Sequence, residues 1–379
     1  MEDTIRIKCT GCGACKNICP VGAINMIEDN EGFLYPTIDE TKCIKCGKCL
    51  SICQIENKPK EYSIIQSYAG YMIETIKDSA SGGIFYSIAK KFIRNFSGIV
   101  VGAAINYSNM HVEHIIVSQE DELYKLQNSK YVQSNMIELF INIKNKLDNN
   151  IPVLFSGTPC QIVGLKLYLK KEYENLYLID IVCHGVPSNK FFETNLNNNR
   201  INNIKKLYFR NKDSKNINRS VYQYKIIYNN KTKYINNNED PYYYSFMNNI
   251  SNRYSCYHCD YKKLNRYGDL TLGDCDSWKE QKEINKAVVN SIILLNSKKG
   301  KILLNLIKEE AKLCELDIAS EVEHNKSLSY SESVPLKRLY IYQDLKKLKW
   351  NDFKKKYTNH TNFIKKIKII IKKVIGGKL

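Results

Sequence analysis

The stretch Cys9–Pro20 reads CTGCGACKNICP, and Cys43–Gln54 reads CIKCGKCLSICQ. Each run spaces four cysteines as C-x2-C-x2-C-x3-C. Three thiols two residues apart lie in one tight loop. The fourth, three residues on, is carried away by a turn that begins a short helix. Gly11, Gly13 and Gly47 supply positive-φ conformations inside the loops at little cost.

Such a loop suits a 4Fe-4S cube, which takes one thiolate at each iron. In two-cluster ferredoxins the fourth cysteine of each run ligates the other cluster. The expected sets are therefore Cys9, Cys12, Cys15 and Cys53 for one cluster, and Cys43, Cys46, Cys49 and Cys19 for the second. Between the runs, VGAINMIED from Val21 reads as a turn entering a strand, and NEGFLYPTIDETKC from Asn30 reads as a hairpin back to the second run. Residues 1 to 57 thus resemble a bacterial-type two-cluster 4Fe-4S ferredoxin domain. One departure is Gln54, where that family usually has a second Pro. That Pro sets a turn and ligates nothing, so the ligand set stands. Zinc on four thiolates is the alternative, but a zinc site does not call for this run twice.

The chain has 379 residues, 14 of them Cys. That length allows two or three domains and a sizeable core. MEDTIRIKC at the start has no apolar signal region, and the longest strongly apolar run, GIVVGAAI from Gly98, is too short to cross a bilayer. A cytoplasmic protein with reduced thiols is expected, its cysteines holding metal rather than forming disulfides. The net charge of +18 is read as a Lys-rich composition rather than a polyanion site. No nucleic-acid motif accompanies it, and no nucleic-acid partner is expected.

After the polar linker ENKPKEYS from Glu56, a strand–loop–helix pattern begins. SYAGYMI from Ser67 alternates as a strand, KDSASGG forms a loop, and IFYSIAKKFIR carries a helical apolar stripe. A Ser/Gly loop at a helix start presents N–H groups to an anion such as a phosphate, though N-capping by Ser81 explains it as well. The pattern recurs at IPVLFSGTPCQIVGLKLYL from Ile151 and at NLYLIDIVCHGVPSNKFF from Asn175. Gly157, Thr158 and Cys160 lie in one strand-end loop, Cys183 and His184 in the other. Ligands bind at that edge of open α/β sheets. RYSCYHCDY adds Cys256 and Cys259. Cys160, Cys183, Cys256 and Cys259 together form the number of thiols a third 4Fe-4S cluster needs. Zinc, or thiols with no shared role, are the other readings. Cys314 is expected to pack on a helix.

Several segments then resemble the coenzyme F-420 hydrogenase/dehydrogenase beta-subunit family: SASGGIF (Ser79–Phe85), SKYVQSN (Ser129–Asn135), GTPCQIVGLK (Gly157–Lys166), CHGVPS (Cys183–Ser188), FRNKDS (Phe209–Ser214), SCYHC (Ser255–Cys259) and GDLTLGD (Gly268–Asp274). They follow the family's order over about residues 65 to 300. The resemblance implies a flavoprotein that binds FAD and passes electrons between 4Fe-4S clusters and a two-electron partner. It assigns Ser81, Gly82, Gly83, Lys130, Tyr131, Gln133 and Ser134 to flavin binding, and the strand-end loop adds Gly157 and Thr158. His184 is the acid–base candidate, a hydrogen bond to a cluster sulfur or a carbonyl being its plainer role. The family commonly continues GDFWG where this chain has GDCDSW, Gly273 to Trp278. The departure falls on the expected substrate pocket and leaves the expected fold as it is.

The expected class is α/β (α+β overall), an N-terminal dicluster ferredoxin fold followed by an α/β flavin- and cluster-binding region. The expected units are residues 1–57, a beta-subunit N-terminal-type flavin region at 62–150, a C-terminal-type α/β region with the extra cysteines at 151–315, and a basic amphipathic tail at 336–379. In that tail Ile364, Ile367, Ile371, Val374 and Ile375 share a helical face among lysines, a pattern for peripheral contact with the inner membrane face or for packing on its own domain. The functional expectation is a flavin- and 4Fe-4S-dependent oxidoreductase acting on an organic substrate. A redox partner protein, reduced ferredoxin or a nicotinamide-type compound would be the donor. Bacterial relatives tend to accompany polysaccharide-building enzymes. The alternative is an electron-transfer subunit that docks on a partner enzyme and has no substrate of its own.

Overall fold

The computed structural model describes residues 2–212 and 220–359. The first unit holds helices α1 (Glu2–Lys8), α2 (Ala14–Ile18) and α3 (Lys48–Ser51), and the hairpin β1 (Ile24–Glu28)–β2 (Leu34–Ile38). Gly13 and Gly47 precede α2 and α3 with φ of 76° and 71°. The positive φ turns each cysteine loop directly into its helix.

A large mixed sheet follows. Its strands are β3 (Gln66–Met72), β4 (Ile99–Asn106), β5 (His111–Val117), β6 (Val153–Gly157) and β7 (Leu176–Ile181), then β13 (Leu270–Asp274), β14 (Ser291–Leu295) and β15 (Ala311–Glu315). The order is β15-β3-β14-β13-β7-β6-β4-β5. β4, β6, β7 and β13 pair in parallel, and the outer pairs are antiparallel. The parallel centre is apolar on both faces, as strands covered on both sides must be. Ile99, Val101, Val153, Phe155, Leu176 and Leu178 face one core with α5 (Leu139–Asp148) and α6 (Pro159–Leu169). Val100, Leu154, Tyr177 and Ile179 face the other, with α4 (Ile84–Phe96). Thr158 and Gln161 form a capping box and Pro159 opens α6. Ser188 caps α7 (Asn189–Asn198) through its side chain.

A second lobe is built on the antiparallel sheet of β8 (Ile204–Tyr208), β11 (Gln223–Tyr228) and β12 (Lys231–Asn236), beside the short pair β9 (Asn211–Lys212) and β10 (Ser220–Val221). Its aromatic core takes Phe191 and Phe192 of α7, Tyr242, Tyr243 and Phe246 of α8 (Pro241–Met247), and Phe33 of the first unit. The segment from Leu336 also enters this core, through Ile341, Tyr342, Phe353 and Tyr357. The Ile364–Ile375 face and its lysines lie outside the described residues, as does Ser214.

The expected α/β class therefore describes the molecule, with a mixed sheet at its centre. Cys314 departs from its expectation. It lies on edge strand β15, opposite Ala69 of β3. The helix-forming residues around it are overridden by pairing with a sheet edge already in place.

Candidate functional site

The cysteine loops of the first unit carry backbone donors aimed at sulfur. Gly11 N–H lies 3.4 Å from Cys9 Sγ, and Ala23 N–H lies 3.2 Å from Cys19 Sγ. Cys9, Cys12, Cys15 and Cys53 form one electrostatically interacting group. Burial pushes the Cys12, Cys15 and Cys53 thiols up, and their neighbours' negative charges add to this. Cys43, Cys46 and Cys49 lie in and before α3, which packs on α2, and Cys19 ends α2. Cys46 is exposed.

The first unit is pinned to the body by buried arginines. Arg253, with no exposed surface, donates to the Cys9 carbonyl at 2.7 Å, the Leu34 carbonyl at 2.9 Å and Gln133 Oε1 at 3.2 Å. Its guanidinium lies 4.0 Å from the Tyr35 ring centre. Arg338 holds Glu31 at 2.5 Å. Gln133 in turn donates to the Thr10 carbonyl at 2.9 Å.

Behind this junction lies a cavity of about 440 Å³, lined from both units. Cys12, Cys160, Cys183, Cys256 and Cys259 all reach it. Cys160, Cys183, Cys256 and Cys259, expected to act together, interact with one another. Burial raises each thiol, Cys256 to about 12, and the charges of neighbouring cysteines of the group raise Cys160, Cys256 and Cys259 further. Lys262 opposes this at Cys183, Cys256 and Cys259. Raised in this way the four groups hold their protons as neutral thiols, and only as ligands, deprotonated together, would they need cationic compensation. Among the described residues, no three His, Cys, Asp or Glu side chains are placed to hold one metal ion.

The same cavity collects most of the residues the resemblance assigned to flavin. Ser81, Gly83, Lys130, Tyr131, Gln133, Ser134, Gly157 and Thr158 line it. Burial pushes the Lys130 ammonium down to about 7, while it donates to the Gln127 carbonyl at 2.7 Å. Tyr131 stacks on Phe246, ring centres 4.6 Å apart. Gly82 lies apart from this lining. Its N–H is already given to Ser291 Oγ at 2.9 Å, and an added Cβ would meet the Gly70 carbonyl at 2.4 Å.

His184 lines the cavity and donates from Nε2 to the Phe246 carbonyl, 3.1 Å away. Burial, then Lys262, pushes it down to about 4, so it stays neutral. Sequence reasoning missed several groups. His114 donates from Nε2 to the Ser156 carbonyl at 3.0 Å and accepts at Nδ1 from Ser134 Oγ at 2.7 Å. Burial holds it down at about 4. Arg210, paired with Asp274, and Asp276 also line the cavity. Burial, then Asp274 and Glu321, pushes the Asp276 carboxyl up to about 7. The signals in the sequence were that Arg210 and Asp274 fall inside the quoted segments FRNKDS and GDLTLGD, and that Asp276 falls in the departing stretch GDCDSW.

Residues 152–321 match the family model for the C terminus of the coenzyme F420 hydrogenase/dehydrogenase beta subunit, and residues 8–57 match that of the 4Fe-4S dicluster domain. No curated protein matches the chain. Among solved structures, the chain is similar to one described as a xenon derivatization of the F420-reducing [NiFe] hydrogenase complex from Methanosarcina barkeri. The identity is 11%, the match covers 70% of this chain and 91% of that one, and the TM-score is 0.47. At that level the likeness carries no argument. Among the described residues no helix is long and apolar enough to cross a membrane. On the sequence matches, this chain joins an N-terminal 4Fe-4S dicluster domain to a domain of the coenzyme F420 hydrogenase/dehydrogenase beta-subunit family.

Proposed function

We propose that the protein is an iron–sulfur flavoprotein oxidoreductase. Its cavity would hold FAD against a third 4Fe-4S cluster on Cys160, Cys183, Cys256 and Cys259, and an organic substrate or cofactor would react there. The observation carrying this reading is that one cavity is lined at once by those four thiols, by Cys12 of the dicluster domain and by the assigned flavin residues. Its volume falls within the usual range for cofactor pockets, roughly 300–1,000 Å³. Clusters carry electrons singly, and a bound flavin converts between one- and two-electron transfers.

The chain's own residues have separable parts in this proposal. Cys46 is exposed, so a donor protein would reach the cluster of Cys43, Cys46, Cys49 and Cys19 from that side. Lys130, with its lowered ammonium, supplies a movable positive charge beside the flavin. Gln133 and Ser134 join the cavity wall to the dicluster domain and to His114. His184 has its N–H committed to a carbonyl and orients its loop. Proton handling then falls to Asp276, whose affinity for a proton is matched to neutral pH.

The test is iron, sulfide and flavin per chain on protein purified without air. About 12 iron with one flavin is the expected result. About 8 iron with one flavin frees the four cavity cysteines for another role. About 8 iron and no flavin after reconstitution defeats the proposal. Association with polysaccharide-building enzymes rests on the resemblance alone, and substrate screening of the loaded protein would address it.

A further inference from the structure

The two cysteine runs set equivalent positions in different surroundings. Thr10, Gly11, Gly13 and Ala14 of the first run correspond to Ile44, Lys45, Gly47 and Lys48 of the second. The first loop faces the body. Ala14 is 2% exposed, and a Cβ on Gly11 would meet the Leu34 carbonyl and an Arg253 guanidinium nitrogen at 3.0 Å. The second loop faces out. Ile44 and Leu50 are 62% and 67% exposed, Lys45 and Lys48 are exposed, and a Cβ on Gly47 would meet nothing within 4 Å. Val21, two residues after Cys19, is exposed as well. Gly11 holds φ at 69° and Lys45 at 53°, a region that Gly enters freely and Lys only at a cost. A lysine is thus kept between Cys43 and Cys46 where a glycine would sit more easily.

Beside this loop a groove of about 440 Å³ runs from Ser51 and Ile52 to the end of α6. Lys166, Lys170, Lys171 and Lys299 line it, against Glu172 and Asp269. The Asp269 carboxylate is already held by Ser297 Oγ at 2.5 Å and by the Leu178 N–H at 2.8 Å. Lys299 gives its ammonium to the Tyr173 and Leu176 carbonyls, and Lys171 lies 3.8 Å from Asp148. Lys42 is likewise taken by Asp39, 3.0 Å away. Lys45, Lys48 and Lys170 are exposed and make no ion pair among the described residues. Apolar side chains over a cluster, framed by unpaired charges of one sign, have the make-up of a small electron-transfer contact, with an apolar centre and a polar rim.

We propose that this face docks an acidic electron-carrying protein, whose apolar centre meets Ile44 and Leu50 over the cluster of Cys43, Cys46, Cys49 and Cys19 and whose carboxylates meet Lys45, Lys48 and Lys170. One electron passes in each encounter: the carrier is oxidised, the cluster is reduced, and no bond forms or breaks. Opposite charge draws the carrier in and orients it. A second copy of this chain, at a net charge of +18, is repelled by the same face. The inference rests on the dicluster domain as the entry for electrons, as proposed above.

The test mixes a reduced, acidic 2Fe-2S ferredoxin with the full-length, anaerobically purified protein in a stopped-flow spectrophotometer. Reduced methyl viologen serves as a small donor that needs no docking. The second-order rate from ferredoxin should fall about tenfold when salt is raised from about 50 to about 500 mM. Lys45→Glu combined with Lys48→Glu should lower the low-salt rate about tenfold, with iron content unchanged and no fall in the rate from methyl viologen. Lys170→Glu, outside the cluster loop, should lower the ferredoxin rate in the same sense. A ferredoxin rate unmoved in the iron-replete double variant overturns the inference. Should the loop variants lose iron, an unmoved rate in Lys170→Glu overturns it instead. So does a wild-type rate that salt leaves unchanged. Loss of binding to phosphatidylglycerol vesicles in these variants, with the ferredoxin rate unmoved, overturns it in favour of a lipid surface. A wild-type protein that neither donor reduces would defeat the electron-entry reading itself, a different result.

Discussion

Cys12 and Gly164 are packed so closely that a Cβ on Gly164 would stand 2.9 Å from the Cβ of Cys12 and 3.1 Å from its Sγ. The dicluster loop therefore docks on α6 only because position 164 has no side chain, one helical turn after Cys160. Gly164→Ala should push the two apart and cost about 1–3 kcal/mol, the usual range for overpacking. Thermal unfolding together with iron per chain checks this. A variant with native stability and full iron would mean that the loop yields freely.

Arg253 ties three acceptors across the junction: the Cys9 carbonyl, the Leu34 carbonyl and Gln133 Oε1. Arg253→Leu takes a charged donor from these half-buried acceptors, at about 1.5–3 kcal/mol for each bond lost. The expected outcome is a loosened first unit, cut off near residues 55–62 by limited proteolysis under conditions where the wild type resists. Equal protease resistance would show that Arg338 and the aromatic contacts suffice.

The four cavity thiols give a prediction independent of flavin. Cys183→Ser should remove about four iron per chain and leave about eight. The signals of the two N-terminal clusters should persist. Loss of a single zinc, or no change in metal, would remove the third cluster from the proposal.

His114 makes stability depend on pH. Its folded-state value is about 4 against an ordinary 6.5, lowered by burial. Between those values the unfolded chain binds the extra proton, so stability falls as pH drops from 6.5 toward 4. The loss reaches about 2 kcal/mol at pH 5. His114→Gln should flatten that part of the urea-midpoint profile. A profile as steep as the wild type's would place the titration in another group.

Some of this was legible because it is local. The C-x2-C-x2-C-x3-C runs fix their thiols within one loop by covalent reach. The strand–loop–helix segments around Cys160 and Cys183 carry their own caps, Thr158 and Ser188. The Ser81–Gly83 loop was legible only in part. Its position at the cavity followed from the strand–loop–helix pattern, but Gly82 is there for close packing beneath Ser291, which only the neighbouring strand reveals. Cys314 went to a strand for a similar reason: pairing with β3 decides it, and helix propensity is a weak force against a ready sheet edge.

The sequence by itself determined that this chain carries two cysteine-rich cluster loops and an α/β body with thiols at its strand ends. Spacing and periodicity are properties of neighbouring residues, and they need no partner to be read. Only the tertiary structure decided that Cys12, Cys160, Cys183, Cys256 and Cys259 face one cavity, that buried Arg253 fastens the two units, and that Gln54 fills the seam between them. Those contacts depend on strand order and domain docking, which bring together side chains far apart in the chain, and no local pattern records which distant groups will meet.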